Sequence, residues 1–191
     1  MELVQPIRSV KQIESMKKYL KAGPNGLRNH LLFVLGINSG LRVSDLLGLK
    51  LKDLVDEKRK PVERIRLRES KTSKTKDFPL SKNAQKAISE YVNSIADNLD
   101  LCRPAFLSKK GGPISRVQAW QILNEAAKTV GIKESIGTHT LRKTFGYHAH
   151  KNGTAVELIQ KILNHSSPGT TLRYIGITQD DMDDVYLNLN L

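Results

Sequence analysis

Four residues near the C-terminus carry the side chains needed to attack and neutralise a phosphodiester. They are His139 and Arg142 in THTLRKTFG, His165 in LNHSS and Tyr174 in TLRY, with the spacing H-x2-R-x22-H-x8-Y. The phenol of Tyr174 is the candidate nucleophile. The cationic groups are candidates to stabilise the charge that builds on the phosphorus oxygens. A single tyrosine or a single H-x-x-R is more often structural, so the prediction depends on the combination.

A fifth candidate, Arg42, lies in NSGLRVSDLLGLKLKDL. It follows a helix end and a glycine, at the start of a new helix, where a guanidinium can project its planar donors toward a phosphate. Asp45 comes three residues later on the same helix face, and we expect it to orient Arg42. The alternative is an ordinary surface salt pair, which contributes little.

Three lysines compete for one role in the segment KTSKTKDFPL, namely Lys71, Lys74 and Lys76. A lysine at a hairpin tip can give a proton to a departing 5′ oxygen. The alternative is a solvated cationic turn that contacts a nucleic-acid backbone without chemistry, which fits Lys74 and Lys76 well. The residues alone do not choose among the three.

Charge indicates the class of partner. The 191 residues hold 31 Lys and Arg against 19 Asp and Glu, a net charge of +12. The segment 178–191 contains four Asp and no Lys or Arg, so the first 177 residues carry +16. A field of that size attracts polyanions, and nucleic acid is the default partner. The alternative is a basic domain whose charge serves only solubility.

Composition argues against several other classes. The longest apolar run, residues 31–37, is far too short to span a bilayer. Cys102 is the only cysteine, so an internal disulfide is impossible and a reducing cytoplasm fits. Two-metal phosphoryl transfer needs clustered carboxylates, whereas the motifs above hold one acid. His148 and His150 form the only near histidine pair, with no cysteine nearby. We therefore predict neither a metal nor a cofactor.

The elements that must position these groups are mostly helices. Capping boxes mark three helix starts, at residues 9–12, 115–118 and 154–157. Apolar periodicity and glycine stops predict the helix ranges. These are residues 9–20, 25–39, 43–47, 81–95, 115–130, 139–151, 154–163, 167–174 and a last helix from 178. In that last helix Met182, Val185 and Leu189 share one apolar face, which packs on its own domain or docks on a neighbour.

One hairpin is the only clear β signal. Residues 64–68 alternate as Arg-Ile-Arg-Leu-Arg, which predicts a strand with one buried face. A polar turn follows, and residues 77–80 form the return strand. The chain is therefore predicted to be α+β and mostly helical, a single domain over 1–191 with a small antiparallel sheet and a tail helix at 178–191.

Taken together, these motifs resemble the catalytic domain of tyrosine recombinases, the phage integrase family. GLRVSDLLGL resembles the box of the first arginine, and HTLRKTFG resembles the H-x-L-R box. LNHSSPGTTLRY resembles the box of the second histidine and the nucleophile, and ESKTSKTKDFPL resembles the lysine hairpin. The boxes are in the family's order and the likeness runs from about residue 8 to 180.

The resemblance implies the recombinase catalytic fold and DNA cleavage and rejoining through a 3′-phosphotyrosine. It implies that the catalytic residues are Arg42, Lys71, His139, Arg142, His165 and the nucleophile Tyr174. His139 is the better candidate to manage the tyrosine proton, and Lys71 opens the family's lysine turn. Asp45 supports Arg42, and the predicted DNA contacts are Lys74, Lys76 and Lys143.

The resemblance also implies double-stranded DNA as partner, a homo-oligomer of four subunits on DNA and a monomer when free. It further implies a bacterial or phage-encoded protein that acts on host DNA in the cytoplasm. Two alternatives stay open. One is a catalytically silent DNA-binding regulator on the same fold, and the other is DNA relaxation of the type IB topoisomerase kind.

Three departures from the family pattern are visible. Asp45 stands where glutamate is usual, and Asn164 stands where glycine often precedes the second histidine. We expect neither to disturb the site. The N-terminal DNA-binding domain usual in the family is also missing from these residues, which fits either an excised catalytic domain or a short stand-alone recombinase.

Overall fold

Most of the described chain is helical, and the only ladder of paired strands in the described residues is one hairpin. The structure is a computed structural model that describes residues 4–95, 100–177 and 179–189. The helices are α1 (Val10–Ala22), α2 (Gly26–Ser39), α3 (Val43–Leu47), α4 (Lys82–Asn93), α5 (Arg116–Thr129), α6 (Thr140–Lys151), α7 (Val156–Leu163), α8 (Pro168–Ile175) and α9 (Gln179–Leu189). The predicted α+β, mostly helical fold is confirmed.

Two of the three predicted capping boxes mark real helix starts. The hydroxyl of Ser9 accepts from the backbone of Gln12, and Ser115 and Gln118 exchange both bonds of a reciprocal box. The third prediction is wrong, because α7 begins at Val156 with Ala155 at its N-cap and no side-chain cap. Helix α8 begins at Pro168 after a capping serine, as predicted. Residue 178, predicted to start the last helix, lies outside the described residues.

The hairpin pairs β1 (Arg64–Arg68) with β2 (Thr75–Pro79) in antiparallel register. The return strand begins two residues earlier than predicted, because the backbones of Thr75 and Lys76 join the ladder opposite Arg68 and Leu67. Ladder bonds are made by the backbone and do not require the apolar alternation from which the strand was predicted. The turn is consequently shorter, and it is closed by backbone bonds from residue 69 to residues 73 and 74.

A large apolar core surrounds α2, in which every residue from Leu31 to Leu35 is at most 2% exposed. A second, smaller cluster consists of Ile159, Leu163 and Ile175, with Phe145 and Tyr174 packed against it, and it joins α6, α7 and α8. The C-terminal end of α2 lies where the two clusters meet. None of the helices in the described ranges is long and apolar enough to cross a membrane.

Two glycines of α2 allow that junction to form. At Gly36 an added Cβ would lie 2.4 Å from the side chain of Leu141, so α2 and α6 pack very closely. Gly40 ends α2 in the left-handed conformation (φ 59°), and a Cβ there would lie 2.7 Å from the ring of Phe145. The backbone of Gly40 therefore faces α6 directly, with its carbonyl available to side chains from other elements.

Candidate active site

Arg142 is anchored at the junction of α2, α6 and α7. The residue is 3% exposed, and its guanidinium donates from Nη1 to the carbonyl of Gly40 at 2.6 Å and from Nη2 to the carbonyl of Leu163. These carbonyls lie at the ends of α2 and α7, where helix dipoles are negative and favour a cation. Burial lowers the pKa of Arg142. The side chain is thereby held in one position between three elements.

Arg42 lies beside a buried carboxylate that the sequence analysis did not single out. Its Nη1 is 2.8 Å from Oε1 of Glu69, a close ion pair in which the N–H does not point at the oxygen. The other carboxylate oxygen of Glu69 accepts from the hydroxyl of Thr72 at 2.6 Å and from the amide of Asn164 at 2.9 Å. Burial alone would raise the pKa of Glu69, but the hydrogen bond from Thr72 and the adjacent positive charge of Arg42 outweigh it, so the pKa is lowered.

Asp45 was predicted to orient Arg42, and the described contacts correct that assignment. One of its oxygens accepts from both the backbone N–H and the hydroxyl of Ser70, at 2.8 and 2.7 Å, and the other is buried without a hydrogen-bond partner. From the first turn of α3 this carboxylate reaches the start of the hairpin turn, where Ser70 offers two donors. Asp45 therefore fixes the residue that precedes Lys71, while Glu69 pairs with Arg42.

The three hairpin lysines lie in different surroundings. Lys71 and Lys74 are exposed in the turn. Lys76, predicted as a DNA contact, is partly buried, and its ammonium donates to the carbonyl of Gly40 at 3.3 Å, the same oxygen that Arg142 uses. Burial and the charge of Arg142 lower the pKa of Lys76 to about 8. Lys76 is therefore part of the cationic centre.

Lys143, also predicted as a DNA contact, is only 8% exposed. Its ammonium lies 5.2 Å from the centre of the Tyr174 ring, a cation–π contact. Burial lowers its pKa. The described position of Lys143 differs from the prediction, because the side chain follows the buried face of α6 and supports the tyrosine instead of reaching the surface.

His165 has its ring orientation and tautomer set by α8. Its Nδ1 lies 3.1 Å from the hydroxyl of Thr171, and that hydroxyl also donates to the carbonyl of Ser167 at 3.2 Å. A hydroxyl has one proton to give, so Nδ1 of His165 must be the donor in their bond. The Nε2 atom of the neutral ring is then left with a lone pair. Burial, with the charges of Arg142 and Arg42, lowers the pKa of His165 to about 4.

Tyr174 packs edge-to-face against His165, with ring centres 4.7 Å apart. Its hydroxyl is buried and lacks a hydrogen-bond partner among the described residues. Burial raises the pKa of Tyr174, and the nearby guanidinium of Arg142 opposes that rise without meeting hydrogen-bond geometry. The oxygen is therefore enclosed beside cations and not inside the apolar core.

His139 stands at the edge of this group, exposed at the N-cap of α6. Partial burial lowers its pKa, with further contributions from Arg116, Arg142, Lys143 and Lys71. Arg42, Arg142, Lys76, His165 and Tyr174 thus lie together, with His139 and Lys71 at the exposed rim. Within the described ranges no three His, Cys, Asp or Glu residues are grouped closely enough to hold a metal ion.

Glu69 and Lys76 are the members of this group whose place the sequence analysis missed. A signal for Glu69 was present, because Ile65, Leu67 and Glu69 have the same parity along β1 and its continuation. An acid that alternates with two inward-facing apolar residues lies on the buried face of the strand, so its carboxylate needs hydrogen-bond or ion-pair partners. A similar signal was present for Lys76, which alternates with the apolar residues Phe78 and Leu80 along β2 and its continuation and pairs with Leu67 of β1.

The sequence model of the phage integrase family matches residues 9–180. A probable integrase/recombinase from Bacillus subtilis, YoeC, is 42% identical over 186 residues, 97% of each chain. The tyrosine recombinase XerD of Corynebacterium glutamicum is 34% identical over 167 residues, 86% of this chain and 53% of XerD, so the chain spans about half of that relative. A solved XerH site-specific recombinase, bound to a palindromic difH substrate, has a TM-score of 0.74 at 16% identity, covering 99% of this chain and 53% of XerH.

We expect the imidazole of His165 to titrate near pH 4 and to be neutral at pH 7, for the reasons given for its lowered pKa. In the unfolded chain the pKa of a histidine is about 6.5, so between about pH 4 and 6.5 the unfolded chain binds a proton at His165 that the folded chain does not bind. His165 therefore lowers the free energy of unfolding as pH falls from about 6.5 to about 4. A histidine NMR titration, with His165→Gln to assign the resonance, measures this. A His165 resonance with a midpoint near 6.5 contradicts it.

Proposed function

This chain belongs to the phage integrase family, and on that premise we propose that it is a site-specific DNA recombinase that breaks and rejoins strands through a 3′-phosphotyrosine. The observation that carries the proposal is the convergence of two arginines, an imidazole and a phenol from α3, α6, the loop after α7 and α8. Such a group fits one phosphodiester, and the net charge of +12 fits double-stranded DNA as its source.

The proposed reaction conserves the phosphodiester bond energy. The Tyr174 oxygen attacks the scissile phosphorus and loses its proton, while the bond from phosphorus to the 5′ oxygen breaks. The products are a 3′-phosphotyrosine and a free 5′-hydroxyl. Attack on that phosphotyrosine by the 5′-hydroxyl of a partner strand reverses the step and exchanges the strands. No nucleotide cofactor is needed, because the covalent link to the protein keeps the energy of the broken phosphodiester bond.

Arg42 and Arg142 are proposed to bind the non-bridging oxygens. The side chain of Arg42 is 18% exposed, so an edge of its guanidinium remains accessible while the other faces Glu69. Arg142 is fixed from behind by two carbonyls. Donors held in place before the reaction lose little energy to reorganisation when charge develops on phosphorus, which is how such groups accelerate phosphoryl transfer.

For the tyrosine proton the geometry favours His165 over His139. The rings of His165 and Tyr174 are in contact, and the free Nε2 lone pair of His165 makes it a proton acceptor at neutral pH. His139, at the exposed end of α6, is proposed to donate to a phosphate oxygen. The enclosed Tyr174 hydroxyl must turn outward before it attacks, so we propose that DNA binding shifts α8 away from the smaller apolar cluster.

Replacing the nucleophile tests the proposal. We expect Tyr174→Phe to bind DNA as the unchanged chain does and to form no covalent adduct, because it loses only the attacking oxygen. The substrate is a nicked duplex carrying the end sequences of the element that encodes the chain, and adducts appear as shifted bands on a denaturing gel.

Adducts formed by Tyr174→Phe would refute the assignment of Tyr174 as the nucleophile. DNA binding by the unchanged chain without any adduct would favour the silent regulator. Relaxation of supercoiled DNA without recombinant products would favour the topoisomerase-like reaction.

Lys71 is proposed to protonate the departing 5′ oxygen, and Lys76 to stabilise charge from beside the arginines. Replacing the bridging 5′ oxygen with sulfur separates the two roles, because a thiolate leaves without a proton. We expect Lys71→Ala to slow cleavage of ordinary DNA by about 100-fold and to cleave the sulfur substrate nearly as fast as the unchanged chain.

Lys76→Ala should cleave both substrates slowly, since charge stabilisation is needed in either case. Lys58→Ala, which removes an exposed lysine from another turn, is the charge-matched control. If the sulfur substrate restored the cleavage rate of Lys76→Ala but not that of Lys71→Ala, Lys76 and not Lys71 would be the proton donor.

Four subunits on DNA, joined through the tail helix, are proposed from the apolar face of α9. Met182, Val185 and Leu189 are 47, 63 and 61% exposed, and the start of α9 is tied to α6 by an ion pair of Lys151 with Asp181 at 3.0 Å. An exposed apolar face on a tethered helix fits docking on a neighbouring subunit.

We expect the double change of Val185 and Leu189 to Lys to lower the cooperativity of binding to DNA with two sites, as measured by gel shift. Leu187→Lys changes a 75% exposed residue off that face and serves as the control. Equal cooperativity in both variants would mean that the face does not join subunits.

A further inference from the structure

The side chain of Glu69 contacts three of the segments that carry the proposed catalytic groups. Its side chain is 0% exposed. One oxygen faces Arg42 at 2.8 Å, and the other accepts from Thr72, next to Lys71, and from Asn164, next to His165. A single buried carboxylate therefore links the helix start of α3, the lysine turn and the loop between α7 and α8.

We propose that Glu69 is a positioning residue that holds Arg42, the Lys71 turn and the His165 loop in the relative positions that the reaction needs. This inference rests on the proposed recombinase function. It touches none of the reacting atoms. Its effect is exerted through the three groups it contacts. The inference deepens the account of that site by giving a role to Glu69, the first residue of ESKTSKTKDFPL, to which the resemblance assigned none.

Charge is the first reason that a carboxylate is needed there. Arg42, Arg142 and Lys76 lie close enough for their positive charges to interact, because burial and the charges of Arg142 and Arg42 together lower the pKa of Lys76. Without a phosphate, their repulsion would drive Arg42 toward solvent. Glu69 offsets this repulsion from the side away from the exposed edge of Arg42, so the guanidinium stays in place with its other donors free for a ligand.

Confinement is the second reason. The backbone N–H of Glu69 donates to Lys74 and its carbonyl accepts from Ser73, which closes the hairpin turn. The backbone of Glu69 is therefore held where the turn of Lys71 closes. A side chain fixed at its backbone, ion-paired at one oxygen and hydrogen-bonded at the other transmits its position to all three partners.

The third reason is the conformation and hydrogen bond of Asn164. It adopts the left-handed conformation (φ 51°, ψ 44°) that ends α7, a conformation that asparagine and glycine tolerate best. Glycine would satisfy the backbone, but only a side chain such as asparagine also donates to Glu69. The departure from glycine at this position thus has a partner in this chain, and the two residues make one connection.

The principal test compares Glu69→Gln with Glu63→Gln, the same charge change at an exposed residue just before β1. Glutamine keeps the size of the side chain and lacks the charge. On the nicked suicide duplex we expect Glu69→Gln to form the adduct about 10- to 100-fold more slowly, the range for residues that orient groups in contact with substrate, with DNA affinity within about 2-fold. Glu63→Gln should match the unchanged chain.

Changes at Asn164 give a second measurement, independent of whether Glu69→Gln folds. Asn164→Gly removes the amide and keeps the backbone, so we expect a modest loss of rate. Asn164→Asp sets two carboxylates against each other and should lose far more. Combining Asn164→Asp with Glu69→Gln restores one carboxylate facing one amide, and the double variant should cleave faster than Asn164→Asp alone.

Three outcomes decide between the inference and its premise. Adduct formation by the unchanged chain with a slowed Glu69→Gln supports the inference. Equal rates for Glu69→Gln and Glu63→Gln, or the absence of rescue in the double variant, overturn it while leaving the recombinase proposal intact. No adduct from the unchanged chain overturns the recombinase proposal itself.

Discussion

The repulsion among three cations held together before any phosphate is present is the constraint on which this site depends. Arg42, Arg142 and Lys76 come from α3, α6 and β2. The protein offsets their repulsion in two ways. The carbonyl of Gly40 accepts from both Arg142 and Lys76, and the buried carboxylate of Glu69 pairs with Arg42. Backbone dipoles stabilise the cations while adding no net negative charge, so the site keeps its attraction for a polyanion.

The enclosed phenol follows from the same arrangement. Tyr174 lies between the ring of His165 and the ammonium of Lys143, and its hydroxyl is shielded from solvent. Burial raises its pKa and the guanidinium of Arg142 opposes the rise. A phenol kept protonated in the resting chain does not attack stray electrophiles. In the proposed reaction its reactivity depends on the movement that brings it beside a phosphate, and that movement would couple nucleophile activation to DNA binding.

The sequence predicted the elements well where a local rule applies. The helix that starts at a serine with a reciprocal glutamine, and the strand with alternating apolar residues, were found at or near their observed bounds. The box at residues 154–157 was wrong, because Thr154 lies two residues before the first residue of α7, and Ala155 takes the N-cap position without a side-chain cap. Contacts between distant segments were less accessible. Asp45 and Glu69 are both acids that Arg42 could use, and only the fold decides that Asp45 accepts from Ser70 while Glu69 pairs with Arg42.

The resting site carries less positive charge than its residues suggest, and this helps to explain how it holds together. His165, with a pKa near 4, is neutral at physiological pH, and Lys76, with a pKa near 8, binds its proton less firmly than a solvated lysine. Burial is the first cause of both shifts, and the charges of Arg142 and Arg42 add to it. The negative charge of a bound phosphodiester would offset the charges of the arginines. The cations therefore repel each other most when no DNA is bound, and it is for this state that the fold must supply the carbonyl of Gly40 and the carboxylate of Glu69.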